Sequence, residues 1–369
     1  MSGPEFDKVE EPFLNQLASM GWRVVTGSAE FPAVTGRTTF REVFLRDDLE
    51  QALARINPRP TATGPVPWLD AARVSQAVGA LERISHPRLM EANQEATHLL
   101  HKGVTVEGLP DWDQGRGKTL QYIDWEHPEN NTFTAVSQFK VDCPGLAKES
   151  IRPDITLFVN GIPLVVVECK APGISTPMVD AVDQLQRYHN ARKAAGGTDE
   201  NEGNERLFYT NQFLIATSYD EARAGTIGAE LGHYLEWKDT APVSLEQVQS
   251  ELGKPLLSSQ NKLDAGMLRP AHLLDIVRHF TIYQQVNGRT VKVVCRYQQF
   301  RAVQRAVTRL TTGKTRKQDG EHDRRGGIVW HTQGSGKSLT MLMLAGALVR
   351  EPAMTNPTIV MVTDRKSVV

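Results

Sequence analysis

The sequence predicts an α/β protein in two parts, and three observations predict it. Residues 152–172, RPDITLFVNGIPLVVVECKAP, read as two strands around an Asn160–Gly161 turn. A helical pattern follows at once, opened by Thr176 and Pro177 as a cap-then-proline start. Far downstream, strand, glycine loop, helix and strand succeed one another through GIVWH, TQGSGKS, an apolar helix and TIVMVTD, one βαβ unit.

Composition sets the frame. The 369 residues are 40% hydrophobic and 23% charged, ample for a globular core, and the net charge of −1 confines any nucleic-acid surface to a local patch. Cys143, Cys169 and Cys295 are odd in number and lack metal-type spacing, which points to reduced thiols and a cytoplasmic address. The longest apolar stretch, MLMLAGALV at 341–349, is about half of the ~18 residues a membrane span needs, so no membrane partner is expected.

Along the chain, FDKVEEPFLNQLASM reads as a first helix with Val9, Phe13, Leu17 and Met20 on one face; Pro12 implies a later start or a kink. NNTFTAVSQFKVD (130–142) reads as one alternating strand. The helix after Pro177 runs through MVDAVDQLQRYHNARK, GGTDENEGNER (196–206) is a polar loop, and FLIATS is a strand. A composition shift near 250–270 marks a boundary, giving parts 1–260 and 261–369. Beyond it, RPAHLLDIVRHFTIYQQ and YQQFRAVQRAVTRL read as helices, and TTGKTRKQDGEHDRRGG as a charged flexible connector.

The chemistry starts from Asp154, Glu168 and Lys170. Side chains alternate along a strand, so Leu164, Val166, Glu168 and Lys170 share a face, and the hairpin returns Asp154 beside Glu168. Two carboxylates at the end of a buried strand repel each other unless a cation intervenes. Magnesium takes such oxygens readily, and a neighbouring lysine can orient water and offset charge on an attacked phosphate. These groups suit phosphodiester hydrolysis; the competing reading is a surface hairpin carrying an ordinary ion pair. Gln184 and Tyr188 lie at i and i+4 on one face of the following helix.

RPD…NGIPLVVVECKAP…QLQRY resembles the nuclease domain of type I restriction enzyme motor subunits, a branch of the PD-(D/E)xK nucleases with a Q-x-x-x-Y motif. The resemblance implies that Asp154 and Glu168 are metal ligands, that Lys170 is the catalytic lysine, and that Gln184 and Tyr188 contact DNA or support the site. VEEPFLNQLASMGW is similar to that family's first helix, with Glu10 at the place of its glutamate and Glu11 adjacent as the alternative. FLRDDLEQALARINP and LIATSYDEARAGT share the likeness. His189 reads as incidental.

In HTQGSGKS (331–338), Gly334 and Gly336 let main-chain amides around Ser335 face phosphate oxygens. Lys337 reaches the β- and γ-phosphates, and Ser338 ligates magnesium. His331 stands where the strict motif has glycine. The region resembles the start of the first RecA-like domain of superfamily-two translocases, and RYQQFRAVQRAV resembles their adenine-reading segment, carried by Gln299 or its neighbour Gln298, with Arg296 lining the pocket. VTDRKSVV resembles a later motor segment and departs from it at Lys366. With no acidic magnesium motif and no second lobe after the loop, little ATP hydrolysis is expected of this chain alone. Arg309, Lys314, Arg316, Lys317, Arg324 and Arg325 are interrupted by Asp319, Glu321 and Asp323 and read as a solvated connector rather than a DNA track.

The expectation is therefore a PD-(D/E)xK domain followed by an incomplete P-loop, RecA-like domain. Its function would be that of the restriction subunit of a type I restriction-modification system. It would cut double-stranded DNA with Mg2+, coupled to ATP-driven translocation, beside methyltransferase and specificity subunits. The rival readings are a non-catalytic docking and DNA-binding portion, and an ATP-dependent DNA-repair nuclease acting on ends.

Overall fold

The computed structural model describes residues 3–145, 148–192 and 201–362. Its centre is a seven-stranded mixed sheet whose spatial order follows the chain: β1 (Arg23–Thr26), β2 (Phe133–Ser137), β3 (Ile155–Val159), β4 (Ile162–Cys169), β5 (Phe213–Thr217), β6 (Ala222–Gly225) and β7 (Leu235–Glu236). β1 lies parallel to β2 and β4 parallel to β5; the other neighbours are antiparallel. Every residue of β2, β3, β4 and β5 is buried, in keeping with the unbroken apolar run Leu164–Val167 in β4, whereas the alternation of β2 places Thr134 and Ser137 in the interior as well.

The β3–β4 hairpin turns at Asn160 and Gly161, both at positive φ (51° and 75°), closing Val159 against Ile162. That is the two-residue turn whose twist matches the strands. Asn160 is buried and fully used: its amide donates to Tyr122 O and Asn131 Oδ1, and its carbonyl accepts from Thr132 N. The register sets Ile155 opposite Val167, so Asp154 and Glu168 follow at the same end.

Helices cover the sheet and its ends. They are α1 (Glu11–Ser19), α2 (Arg46–Ile56), α3 (Ala71–Glu82), α4 (Leu89–Lys102), α5 (Pro177–Tyr188), α6 (Leu245–Leu252), α7 (Ser259–Met267) and α8 (Pro270–His279). α5 packs on β4 and β5, and α1 packs on β1 and α7. Gln16 and Asn261 exchange side-chain and main-chain hydrogen bonds across that last contact, and Trp22 Nε1 donates to Leu268 O. α9 (Tyr297–Thr312), the single-turn α10 (Arg316–Asp319) and α11 (Lys337–Arg350) complete the set, with α9 packed on α11.

Several expectations change. The 130–142 strand ends at Ser137, because Gln138 adopts φ 53° and turns the chain; Val141–Asp142 then pair with Ser150–Ile151 instead. α5 stops at Tyr188, where Asn190 takes φ 58° and receives Gly203 N; Lys193 lies outside the described residues, as do residues 196–200 of the expected polar loop. Thr176 precedes Pro177 as expected, yet its hydroxyl donates to Asp180 rather than capping an amide.

The segment read as one helix from 269 ends at His279, and Thr281–Val286 (β8) pairs with Arg289–Val294 (β9) around Asn287–Gly288, a second Asn-Gly turn with φ 49° and 73°. The connector contains the α10 turn, capped by Thr315. Among the described residues the strands expected on either side of the glycine loop do not form: residues 327–331 and 358–362 have no strand structure, and Ile328, Trp330, Val360 and Val362 are exposed. The last two residues of the expected TIVMVTD strand lie outside the described residues. A parallel strand is held by neighbours on its edges and layers on its faces, and among the described residues these two segments have no strand partner.

Candidate active site

Antiparallel pairing brings three charged groups together at one end of β3 and β4. Lys170, one residue beyond β4, donates from Nζ to Glu168 Oε1 at 2.5 Å and to Gln184 Oε1 at 3.0 Å. Asp154, one residue before β3, accepts Cys169 N at 2.7 Å on Oδ2 and Gln138 Nε2 at 3.1 Å on Oδ1. Gln184 passes the network on, donating to Tyr188 OH at 2.6 Å; that hydroxyl donates to Arg152 O at 3.3 Å. So Glu168, Lys170, Gln184 and Tyr188 form one hydrogen-bonded chain, and Asp154 is tied beside it through the main-chain N–H of Cys169, with both carboxylates and Tyr188 buried.

Glu10 joins from the first helix. It is buried, and its Oε2 accepts Gln138 Nε2 at 3.0 Å, whereas Glu11 is exposed. One amide nitrogen of Gln138 thus bridges Glu10 and Asp154. Sequence reasoning missed Gln138, because in an alternating apolar segment a glutamine reads as a solvent-facing strand position. Its backbone at positive φ is what turns the side chain into the site. Glu5 was missed too; its Oε2 accepts Ala171 N at 3.2 Å.

The electrostatics follow from burial. Desolvation pushes the Glu168 carboxyl well above its ordinary value and the charge of Asp154 adds to it, while Lys170 pulls the other way. Asp154 is raised by burial, opposed by its bond from Cys169 N and by Lys170. Burial disfavours the Lys170 ammonium, but Glu168 outweighs it and leaves that pKa raised. Glu10 is pushed up to about 7, by burial first and by Asp154 second.

Glu168 Oε2 and Glu10 Oε1 are buried with no hydrogen-bond partner among the described residues. Unpaired acceptors of this kind in a carboxylate-rich pocket lack positive charge. Among the described residues no three His, Cys, Asp or Glu side chains stand as a ready metal-ligand cluster. Glu168 and Glu10 each keep one spare oxygen, while both Asp154 oxygens already accept hydrogen bonds; carboxylate oxygens are the donor type that suits a hard cation retaining several waters.

The glycine loop is built differently. Gly334 and Gly336 both take positive φ (76° and 82°), and Gly336 caps α11. Lys337 Nζ lies back across the loop, donating to His331 O and Thr332 O at 3.0 Å each, and Ser335 Oγ donates to Thr332 O. Ser338 is exposed on the first turn of α11. Gln299 is buried between α9 and the loop: its Nε2 donates to Gly336 O, and its Oε1 accepts Arg296 N. Gln298 Oε1 is buried without a partner among the described residues. Thr363–Val369, and most of the VTDRKSVV segment with them, lie outside the described residues.

His189 is a packing residue: buried, it accepts Gly228 N on Nε2. Arg324 pairs with Asp319 and Arg325 with Asp323, so part of the basic run neutralises itself locally. No helix of the described residues is long and apolar enough to cross a membrane.

Comparison with known proteins adds an independent line. The family model described as type I restriction enzyme R protein N terminus (HSDR_N) matches residues 4–232, and the SWI2/SNF2 ATPase model matches residues 298–368. The chain is 32% identical over 361 residues to the type I restriction enzyme HindI endonuclease subunit of Haemophilus influenzae, covering 97% of this chain and 31% of that protein. A putative type I restriction enzyme MjaIXP endonuclease subunit of Methanocaldococcus jannaschii is 25% identical over 368 residues, 97% of this chain and 32% of the relative. Against the SsaAORF53P endonuclease subunit of Staphylococcus saprophyticus, identity is 24% over 250 residues, 67% of this chain and 22% of the relative. The chain spans about a third of the length of the first two of these relatives. A family model that covers the whole carboxylate site, and relatives alike over nearly all of the chain, lead to one conclusion: this chain belongs to the type I restriction enzyme R protein N-terminus family.

Proposed function

We propose that this chain carries the DNA-cutting centre of a type I restriction-modification system, in a PD-(D/E)xK domain ahead of the beginning of a RecA-like motor. One observation carries the reading: Asp154, Glu168 and Lys170 meet at the open end of a buried sheet, with unpaired carboxylate oxygen among them. The reaction is hydrolysis of a phosphodiester P–O bond in double-stranded DNA. Magnesium, held by Asp154 and Glu168, would supply the positive charge that these buried carboxylates lack and lower the pKa of a bound water. Lys170 offsets the negative charge that develops on the attacked phosphate. Gln184 holds that ammonium from the far side, and Tyr188 fixes Gln184. Gln138 keeps Glu10 and Asp154 at a set separation.

The second site is proposed to bind ATP. Amides at Gly334, Ser335 and Gly336 would face the phosphates, Lys337 would exchange its two carbonyl partners for them, Ser338 would hold magnesium, and Gln299 would face the base. Coupling to translocation, and assembly with methyltransferase and specificity subunits, belong to the same proposal and rest on the family.

Plasmid nicking by the purified chain, with and without magnesium, tests the centre. Lys170→Ala is expected to lower the rate by a factor of about 100 or more, the usual scale for losing a preorganised charge. Equal rates for the two proteins would remove Lys170, and with it the nuclease reading.

A further inference from the structure

Pro12 has no amide hydrogen, and its ring collides with the carbonyl four residues earlier, at Lys8. The chain accommodates it by widening the preceding turn. Residues Phe6–Glu10 form a π-helical segment in which Glu11 N donates to Phe6 O, five residues back, before α1 continues regularly. Wide turns of this kind recur at functional sites.

The consequence falls on Glu5. In a regular α-helix a side chain five residues before Glu10 would point about 140° away from it around the axis. A turn closed over five residues instead stacks the two positions. Glu10 reaches Gln138 within the site, and Glu5 reaches the main chain just beyond Lys170, where its Oε2 accepts Ala171 N at 3.2 Å. Lys170 N still donates to Thr217 O at the end of β5, whereas Ala171 leads into Pro172, which has no N–H, and Gly173 at φ 93°, so the Ala171 amide is where the chain leaves the sheet.

We infer that the proline-widened first turn makes Glu5 a positioning residue of the carboxylate site, one that fixes Lys170 by holding the amide of the residue after it. The inference rests on the nuclease reading for its catalytic consequence, and on geometry alone for its structural one. Glu5 also lies within Coulombic reach of both Asp154 and Lys170, in keeping with its place at the mouth of the site.

The experiment uses the full 369-residue chain labelled with 15N-alanine. It measures hydrogen exchange at the Ala171 amide and, in parallel, magnesium-dependent plasmid nicking. Glu5→Ala is expected to speed Ala171 exchange by about tenfold or more, and to lower kcat by about tenfold with little change in KM, the scale of a small misplacement. Glu5→Gln keeps an acceptor and is expected to retain slow exchange and most of the rate. Pro12→Ala lets the wide turn close into a regular one, rotating Glu5 off the site by about 100°; it should reproduce Glu5→Ala, and the double variant should be no worse than either. Unchanged Ala171 exchange in a folded Glu5→Ala chain overturns the inference, as does an equal loss of rate in Glu5→Gln and Glu5→Ala. If Lys170→Ala nicks as well as the parent, the nuclease reading fails instead, and the Ala171 exchange rates still decide whether Glu5 holds this segment.

Discussion

A carboxyl buried beside other carboxyls is a stability liability that depends on pH, and Glu10 is where this liability can be measured. Its pKa stands at about 7, above the ordinary 4.5, with burial as the main cause, Asp154 and Glu5 adding to it, and Gln138 and Arg152 opposing. The folded state therefore holds this proton more tightly than the unfolded state. The stability it contributes is full below pH 4.5 and is lost as pH rises through about 7. In magnesium-free buffer, Glu10→Gln is expected to melt with the parent at pH 4 and above it at pH 8; parallel melting curves at both pH values would contradict the assignment. At this scale the sequence was informative where chemistry and strand periodicity coincide, as at Asp154, Glu168 and Lys170. It was silent on Gln138, whose role comes from one backbone angle, and on Glu5, whose role comes from a widened turn.

Elements show the same dipeptide under two different constraints. Asn160–Gly161 and Asn287–Gly288 both make tight hairpins with paired positive φ values. A Cβ on Gly161 would lie 2.2 Å from Leu45 O and 2.9 Å from Leu49 N, because α2 begins directly against the turn. Nothing lies within 4 Å of a Cβ on Gly288. Gly288→Ala should cost only the left-handed backbone penalty, about 1–2 kcal/mol. Gly161→Ala should cost about 3 kcal/mol or more, since main-chain atoms must also move. Chemical denaturation of the two variants checks the difference, and equal losses would mean that the α2 contact yields easily. The first hairpin was legible because an unbroken apolar run follows it. The second carries the same turn signal, but its first strand is half-exposed and holds Gln284 and Gln285, which let the preceding helix pattern run on over it to Gln285.

At the scale of the molecule, one buried lysine ties distant segments together. Lys292 on β9 donates from Nζ to Asn93 Oδ1 on α4 at 2.9 Å, to Asn211 O at 2.6 Å and to Gln212 Oε1 at 3.1 Å, just ahead of β5. Burial alone pushes its pKa well down. Lys292→Met keeps the length of the side chain but leaves Gln212 Oε1 without its donor, while Asn93 Oδ1 keeps Tyr283 OH and Asn211 O keeps Asn93 Nδ2. It is expected to destabilise the chain by about 1–3 kcal/mol and to speed amide exchange across Thr281–Val294. A loss below about 0.5 kcal/mol, the level typical of a surface change, would mean that water replaces the ammonium.

Sequence alone determined the existence of the strands β2 to β5, the β3–β4 turn, the carboxylate pair with its lysine, and the glycine loop ahead of an apolar helix. Each is a pattern carried by one short stretch of chain, whereas the order and pairing of the sheet join strands far apart in sequence. Tertiary structure decided which acidic residues of the first helix face the site, where the 130–142 strand breaks, and that residues 327–331 and 358–362 do not pair as strands. Those outcomes turn on partners far away in the chain, or on a hydrogen-bonding neighbour that the segment itself cannot supply.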